Sequence, residues 1–238
     1  MSDLAKERQL VADACRVLAA RGLADGYLGH VSLRVDAERL LIRCRGPLER
    51  GLLWTTAEDV RLLTLDGAPG GDGELGAWSP PNELPLHTEV LRTRPEVRSV
   101  VHAHPPAVVA ANLAGLGVRP IVGAYDIPGA KLAAGGVPVY ERGVLIRNRQ
   151  LAGEMVVVLG QRPVVLLRGH GLTSAAASVE EAVLNAVSVD QLARMALTVV
   201  SAGGVLVDLA TADLAELPDL GAGFNHTTAW RHELARLD

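Results

Sequence analysis

The residues best placed to do chemistry lie in Val-Val-His-Ala-His-Pro, residues 100–105. In a β-strand, side chains at i and i+2 point to the same face, so His102 and His104 project together from the end of an apolar run. Neutral imidazoles at that spacing make half of a site for a divalent transition metal. The plainer reading is two strand-end histidines bonded to loop carbonyls. A third histidine, His170, stands in Gly169-His170-Gly171 behind another apolar run, Val-Val-Leu-Leu. Its flanking glycines admit close approach of the backbone. Together the three suit a facial three-histidine metal site. Glu83, with His87 at i+4, is a candidate acid/base, or a fourth ligand when no substrate is bound. A three-ligand site with open positions is the catalytic arrangement. Such a metal polarises oxygens and absorbs negative charge developing on carbon.

These residues need elements to hold them. Leu4 to Arg21 has the spacing of an amphipathic helix, closed by Gly22. The glycine-bearing stretch 25–30 leads into a strand from Val31 to Val35, and a second strand runs from Arg39 to Cys44. Helical pattern is weak from Leu48 to Asp59, and Val60 to Leu65 reads as a strand. A polar, glycine-rich loop spans 66–77. Ser79 as N-cap and Pro80 at the first position predict a helix from about Pro81 to Thr93. The spacing then gives a strand from Ser99 to His104, a short helix from Ala107 to Ala114, and strands at Ile121 to Tyr125 and Val137 to Val139. A helix at Gln150 to Leu159 precedes the buried strand Pro163 to Arg168. Ser178 opens the longest helix, to about Ala202, with Glu180 and Glu181 complementing its dipole. A last short helix is expected from Trp230 to Leu237.

Of the 238 residues, 49% are hydrophobic and only 3% aromatic, so Leu, Val and Ala must fill the core. A net charge of −4 and the absence of any Lys/Arg run argue against a nucleic-acid partner. Cys15 and Cys44 are too few for a disulfide framework, which suits a reducing cytoplasm. The charged residues of 1–10 do not form a secretory signal, and no apolar stretch reaches the ~18 residues needed to span a bilayer. The expectation is a cytoplasmic globular protein of one domain, 1–238, with 212–238 as its tail. His226 and His232 in that tail read as surface residues, unless the tail covers a pocket.

Gly29-His30-Val31-Ser32-Leu33-Arg34, Asn82-Glu83-Leu84-Pro85-Leu86-His87, Arg94-Pro95-Glu96-Val97, Val101-His102-Ala103-His104-Pro105 and Leu167-Arg168-Gly169-His170-Gly171 stand in this order. The set resembles the class II aldolase/adducin family from the first helix to about Ala202. The resemblance implies a three-layer α/β/α sandwich around a mainly antiparallel sheet. It also implies a homotetramer with active sites at subunit interfaces. Zinc, or another divalent ion such as iron(II), manganese or cobalt, would sit on His102, His104 and His170. Glu83 falls on the family's catalytic carboxylate. Tyr125 falls where fuculose-phosphate aldolases present a tyrosine to a neighbouring subunit's site as proton donor.

The departures concern the substrate. Where phosphosugar members carry small neutral phosphate donors, this chain has His30, Arg45-Gly46 and Pro81-Asn82. An arginine fork suits a planar carboxylate, and Arg43, Arg45, Arg50 and Arg168 are all candidates. His30, Arg45, Gly46, Asn82 and Arg168 are therefore expected to line a pocket for a non-phosphorylated carboxylate. The leading expectation is a decarboxylase of a catechol-type aromatic carboxylate such as a dihydroxyphthalate. An aldolase releasing a small aldehyde from a hydroxy-acid or sugar needs the same residues. A non-catalytic, adducin-like assembly protein has no physical need of the open metal site.

Overall fold

A computed structural model describes residues 4–237. Helix α1 (Ala5–Ala20) precedes strands β1 (His30–Arg34), β2 (Arg39–Arg43) and β3 (Val60–Thr64). Helix α2 (Leu84–Thr93), β4 (Ser99–Ala103), α3 (Pro106–Leu113) and α4 (Ile127–Leu132) follow. Then come β5 (Val139–Tyr140), α5 (Arg149–Leu159), the hairpin β6 (Val164–Leu167) and β7 (Gly171–Ala176), and the long α6 (Val179–Ser201).

The strands form one sheet in the order β3-β2-β1-β4-β7-β6-β5. The sheet is mixed, which corrects the expectation of a mainly antiparallel one: β5 runs parallel to β6, while the other neighbouring strands pair antiparallel. The reason lies in the connection. A parallel neighbour requires a crossover, and α5 supplies it between β5 and β6.

Period-two alternation divides the apolar side chains between the two faces. Val31, Leu33, Leu41, Val101, Ala103 and Leu172 pack with residues of α1, α3 and α6. Leu40, Ile42, Leu63, Val100, Val165 and Leu167 pack with residues of α2 and α5. By length and composition α6 is apolar enough to cross a bilayer, contrary to the sequence reading. Here Val183, Ala186, Val189 and Ala193 are core residues, which accounts for that composition.

Other boundaries also differ from expectation. Helix α2 starts at Leu84, with Glu83 at its N-cap position and Pro85 in its first turn. Ser79 does not cap it, because Ser79 and Arg45 exchange both backbone hydrogen bonds in an isolated bridge. Residues 121–125 form no strand: the backbone turns through Arg119 to Ile121, and the Pro120 carbonyl accepts from the Leu209 amide instead. The stretch 48–59 holds two single 3-10 turns, Leu52–Trp54 and Ala57–Asp59. Strand β7 has no sequence-level counterpart, since Gly-Leu-Thr-Ser-Ala-Ala lacks both bulk and alternation. In the tail, Trp230–Leu234 is helical and His232 is exposed, while the side chain of His226 lies outside the described residues.

The β6–β7 hairpin approaches β4 so closely that Gly171 has no room for a side chain. A Cβ there would stand 2.2 Å from the Ala103 carbonyl oxygen. Gly171→Ala should therefore cost about 1–3 kcal/mol, the scale of an overpacked core position. Urea unfolding of the variant measures it, and an unchanged midpoint would contradict the contact.

Candidate metal centre

Register places the candidate ligands. In the antiparallel β1–β4–β7 arrangement, His30 lies opposite His102, and His102 opposite Thr173. All three are on the sheet face covered by α2. His104 follows β4 by one residue and keeps the same side, its amide donating to the Leu23 carbonyl at 2.9 Å. His170 sits in the tight turn between β6 and β7, brought to β4 by the packing of Gly171. Glu83 arrives from above at the start of α2. Gly29, with φ +86°, lets the chain pass the His102 carbonyl on its way into β1.

The result is one group. A ligand atom from each of Glu83, His102, His104 and His170 lies within 4.8 Å of the others. His104 Nε2 is 2.7 Å from His102 Nε2. Glu83 Oε2 stands 3.2 Å from His102 Nε2 and 3.7 Å from His170 Nε2. The second nitrogen of His102 is also fixed: Nδ1 donates to the Leu172 carbonyl at 3.0 Å, which turns Nε2 toward the group. Glu83 Oε1 accepts from the Ile146 amide at 2.9 Å, leaving Oε2 for the centre.

The electrostatics match this donor set. Burial, with the neighbouring charge of His102, lowers His104 to about 3, so its imidazole is neutral near pH 7. His170 is lowered for the same reasons. Burial pushes the Glu83 carboxyl up, but the hydrogen bond and charge of His102, with His170 and the Ile146 amide, outweigh it and hold the group at about 2. An ionised carboxylate facing three imidazole nitrogens, whose inward protons a cation displaces on binding, is the donor chemistry of a divalent first-row metal. The residues present therefore fit the ion.

Behind the ligands lies a second histidine pair that the sequence reading did not connect. His30 Nδ1 is 2.7 Å from His87 Nε2, and His87 Nδ1 is 2.7 Å from the Ser32 hydroxyl. The rings of His30 and His102 are 5.0 Å apart. The signal was present as His30 and Ser32 at i and i+2, with His87 one turn after Glu83.

The other expected residues divide. Arg45 is half-buried, with its guanidinium 5.1 Å from the Tyr27 ring. Gly46 packs on the Trp78 indole and lines a cavity of about 600 Å³ with Arg43, Arg50 and Trp54, which none of the four ligand residues lines. Asn82 is exposed beside Glu83. Arg168 pairs with Glu141 at 2.9 Å on the surface. Arg43 is buried and bonds to Glu49 at 2.5 Å and the Tyr27 carbonyl at 3.3 Å, bracing the loop that leads into His30. Tyr125 is 78% exposed at the entry to α4 and lines a cavity with Arg21, Ser188 and Glu233 that none of the four candidate ligands lines.

The family model of the Class II Aldolase and Adducin N-terminal domain matches residues 9–197. The chain belongs to that family. It is 73% identical over 233 residues to the 3,4-dihydroxyphthalate decarboxylase of Terrabacter sp., covering 98% of each chain. It is 56% identical over 236 residues to the enzyme of the same name from Rhodococcus jostii, covering 99% of this chain and 97% of that one. Among solved structures, an aldolase II superfamily protein from Pseudomonas syringae superposes with a TM-score of 0.80 at 22% identity, over 99% of this chain and 94% of that one. That likeness is one of fold.

Removing one ligand tests the centre. His170→Ala, in a turn and outside both apolar clusters, should lose bound divalent metal while remaining folded; full occupancy by elemental analysis would contradict its place in the site. Acid tests the pair behind it. Burial first, and then the charge of His102, depresses His87 from 6.5 to about 3. The unfolded chain thus binds more protons, and stability present above pH 6.5 is lost as pH falls toward 3. Urea midpoints of metal-free protein should decline over that window, and less steeply in His87→Phe.

Proposed function

We propose that this chain is a zinc-dependent carboxy-lyase that removes carbon dioxide from 3,4-dihydroxyphthalate or a close hydroxylated aromatic diacid. The observation that carries the reading is the 73% identity, end to end, with a decarboxylase of that substrate, in a chain that keeps the whole Glu83, His102, His104 and His170 group.

When bound, the divalent ion draws electron density from the substrate's vicinal oxygens and stabilises charge developing on the ring. His102, His104 and His170 would hold it beside Glu83. Glu83, ionised in the free enzyme, takes a phenolic proton as the substrate enters. The bond from ring to carboxylate then breaks, its electron pair stays with the ring carbon, and carbon dioxide leaves. Oε2 of Glu83 returns the proton to that carbon, and the product phenolate takes one proton from water as it leaves. The Ile146 amide keeps the carboxylate aimed during both transfers. Arg45, with no carboxylate partner among the described residues, holds the substrate's remaining carboxylate. Arg168, already paired with Glu141, is a poorer candidate than the sequence alone suggests.

Several finer features belong to the same reading: one family domain with 212–238 as its tail, three α/β/α layers, a cytoplasmic location, a role in aromatic catabolism, and a homotetramer. Tyr125 supports the last. It is exposed and borders a cavity that none of the Glu83 group lines, the placement expected of a residue offered to a neighbouring subunit's centre. His30, Gly46 and Asn82 complete the proposed substrate pocket.

The test is carbon dioxide release from 3,4-dihydroxyphthalate by zinc-loaded protein, run beside aldehyde release from a phosphorylated sugar. Glu83→Gln should retain metal and slow decarboxylation about 10²–10⁴-fold, the range of a lost acid/base group. Aldehyde release without carbon dioxide release would replace this reading with aldol cleavage.

A further inference from the structure

Ser32, His87 and His30 form a hydrogen-bonded file that ends beside the metal ligands, and its members are more buried than surface histidines or serines normally are. Ser32 and His87 are 0% exposed and His30 is 6% exposed. Each of its two links is 2.7 Å, so each holds one proton.

The direction of those protons follows from Ser32. A buried hydroxyl must place its hydrogen on an acceptor. Among the described residues, its one hydrogen-bond partner is His87 Nδ1. The hydroxyl therefore donates to Nδ1, which makes His87 the Nε2–H tautomer. That N–H donates to His30 Nδ1. His30 is left with its own proton on Nε2. Running the file the other way would leave the Ser32 hydrogen without a partner; the His87 ring also donates to the Val100 carbonyl, a bond that the Nε2–H tautomer shares with His30. Nε2 of His30 has no protein partner among the described residues, yet it is not one of the unpartnered polar atoms sealed from solvent. It is therefore not sealed in the core, and its ring lies 5.0 Å from that of His102.

We infer that His87 and Ser32 are positioning residues that fix His30 as a neutral N–H donor to an oxyanion of the substrate, a carboxylate or phenolate oxygen beside the metal-binding group. Part of this rests on the decarboxylase reading, since that reading identifies the oxyanion as an aromatic one. The tautomer assignment does not. A fixed donor distinguishes oxyanions from neutral hydroxyl groups without adding charge next to the metal. The same turn of α2 that places Glu83 over the histidine cluster places His87 on His30, so α2 orders both halves of the site.

Two measurements test this, one of them without substrate. Histidine-selective ¹⁵N NMR of zinc-loaded protein reads the tautomer of each ring, and the His30 signals are identified by their loss in His30→Asn. The wild type should show His30 as Nε2–H. In Ser32→Ala and His87→Phe the His30 ring should shift toward Nδ1–H or a mixture. His87→Gln, whose amide can still donate to Nδ1, should recover part of the original pattern. In steady-state decarboxylation, Ser32→Ala and His87→Phe should each raise KM about tenfold, with kcat changed less than threefold and zinc content unchanged. Neither should raise KM further in a His30→Asn background, because both act through that ring. A His30 tautomer indifferent to both variants overturns the inference, and so do KM effects that multiply undiminished in the His30→Asn background. Absence of carbon dioxide release by the wild type would instead defeat the decarboxylase reading and the aromatic oxyanion with it. The NMR result would still decide the positioning roles.

Discussion

Two imidazole nitrogens, Nε2 of His102 and of His104, stand 2.7 Å apart with a carboxylate oxygen 3.2 Å from the first. The His102 proton is on the opposite nitrogen, and burial keeps His104 neutral at ordinary pH. Three imidazoles and a carboxylate this close are costly to hold together, and in the metal-free chain a proton shared between the two nitrogens occupies the place a divalent ion would take. The surrounding structure bears that cost: β4 fixes the first two histidines by strand periodicity, and the β6–β7 hairpin, packed to the limit at Gly171, supplies the third. Helix α2 lowers Glu83 onto the group. Each contribution comes from a different part of the chain, so the site forms only when the sheet is complete.

How far this could be read from the amino-acid sequence depended on whether local spacing carried the information. His102 and His104 are two residues apart in a strand-like run, and that alone puts them on one face. His170 could be linked to them only through its glycine setting, and Glu83 through its place in the ordered motifs. No local signal marks the strand that joins His170 to His102, because apart from Leu172 β7 is built of Gly, Thr, Ser and Ala, whose fit depends on neighbours. The start of α2 was misplaced for a similar reason: Ser79 is a good cap by type, but its backbone was already committed to Arg45. The parallel edge at β5 is likewise a long-range fact, set by the α5 crossover. Residues 121–125 have strand composition and no strand partner.

The arginines show the same division. By type, Arg43, Arg45, Arg50 and Arg168 were equivalent anion candidates. Burial and pairing separate them. Arg43 is consumed in bracing the loop before His30, Arg168 is held by Glu141, and Arg50 lies 5.5 Å from the Trp54 ring. Arg45 alone of the four combines partial burial with a guanidinium held by an aromatic face and no acidic partner among the described residues. Under the proposed function, the loss of small neutral donors at 30, 45 and 81–82 and the N–H donor inferred at His30 would suit a pocket for oxyanions on a flat substrate.

The central claim is that one divalent ion is held by three imidazoles, two from the end of β4 and one from the neighbouring β6–β7 turn. X-ray absorption at the zinc edge of the loaded protein addresses it directly, because each bound imidazole contributes a characteristic outer-shell scattering. The account predicts a nitrogen and oxygen first shell with three imidazoles and no sulfur, losing one imidazole when His170 is replaced. A shell containing sulfur, or one whose imidazole count is unchanged in that variant, would contradict it.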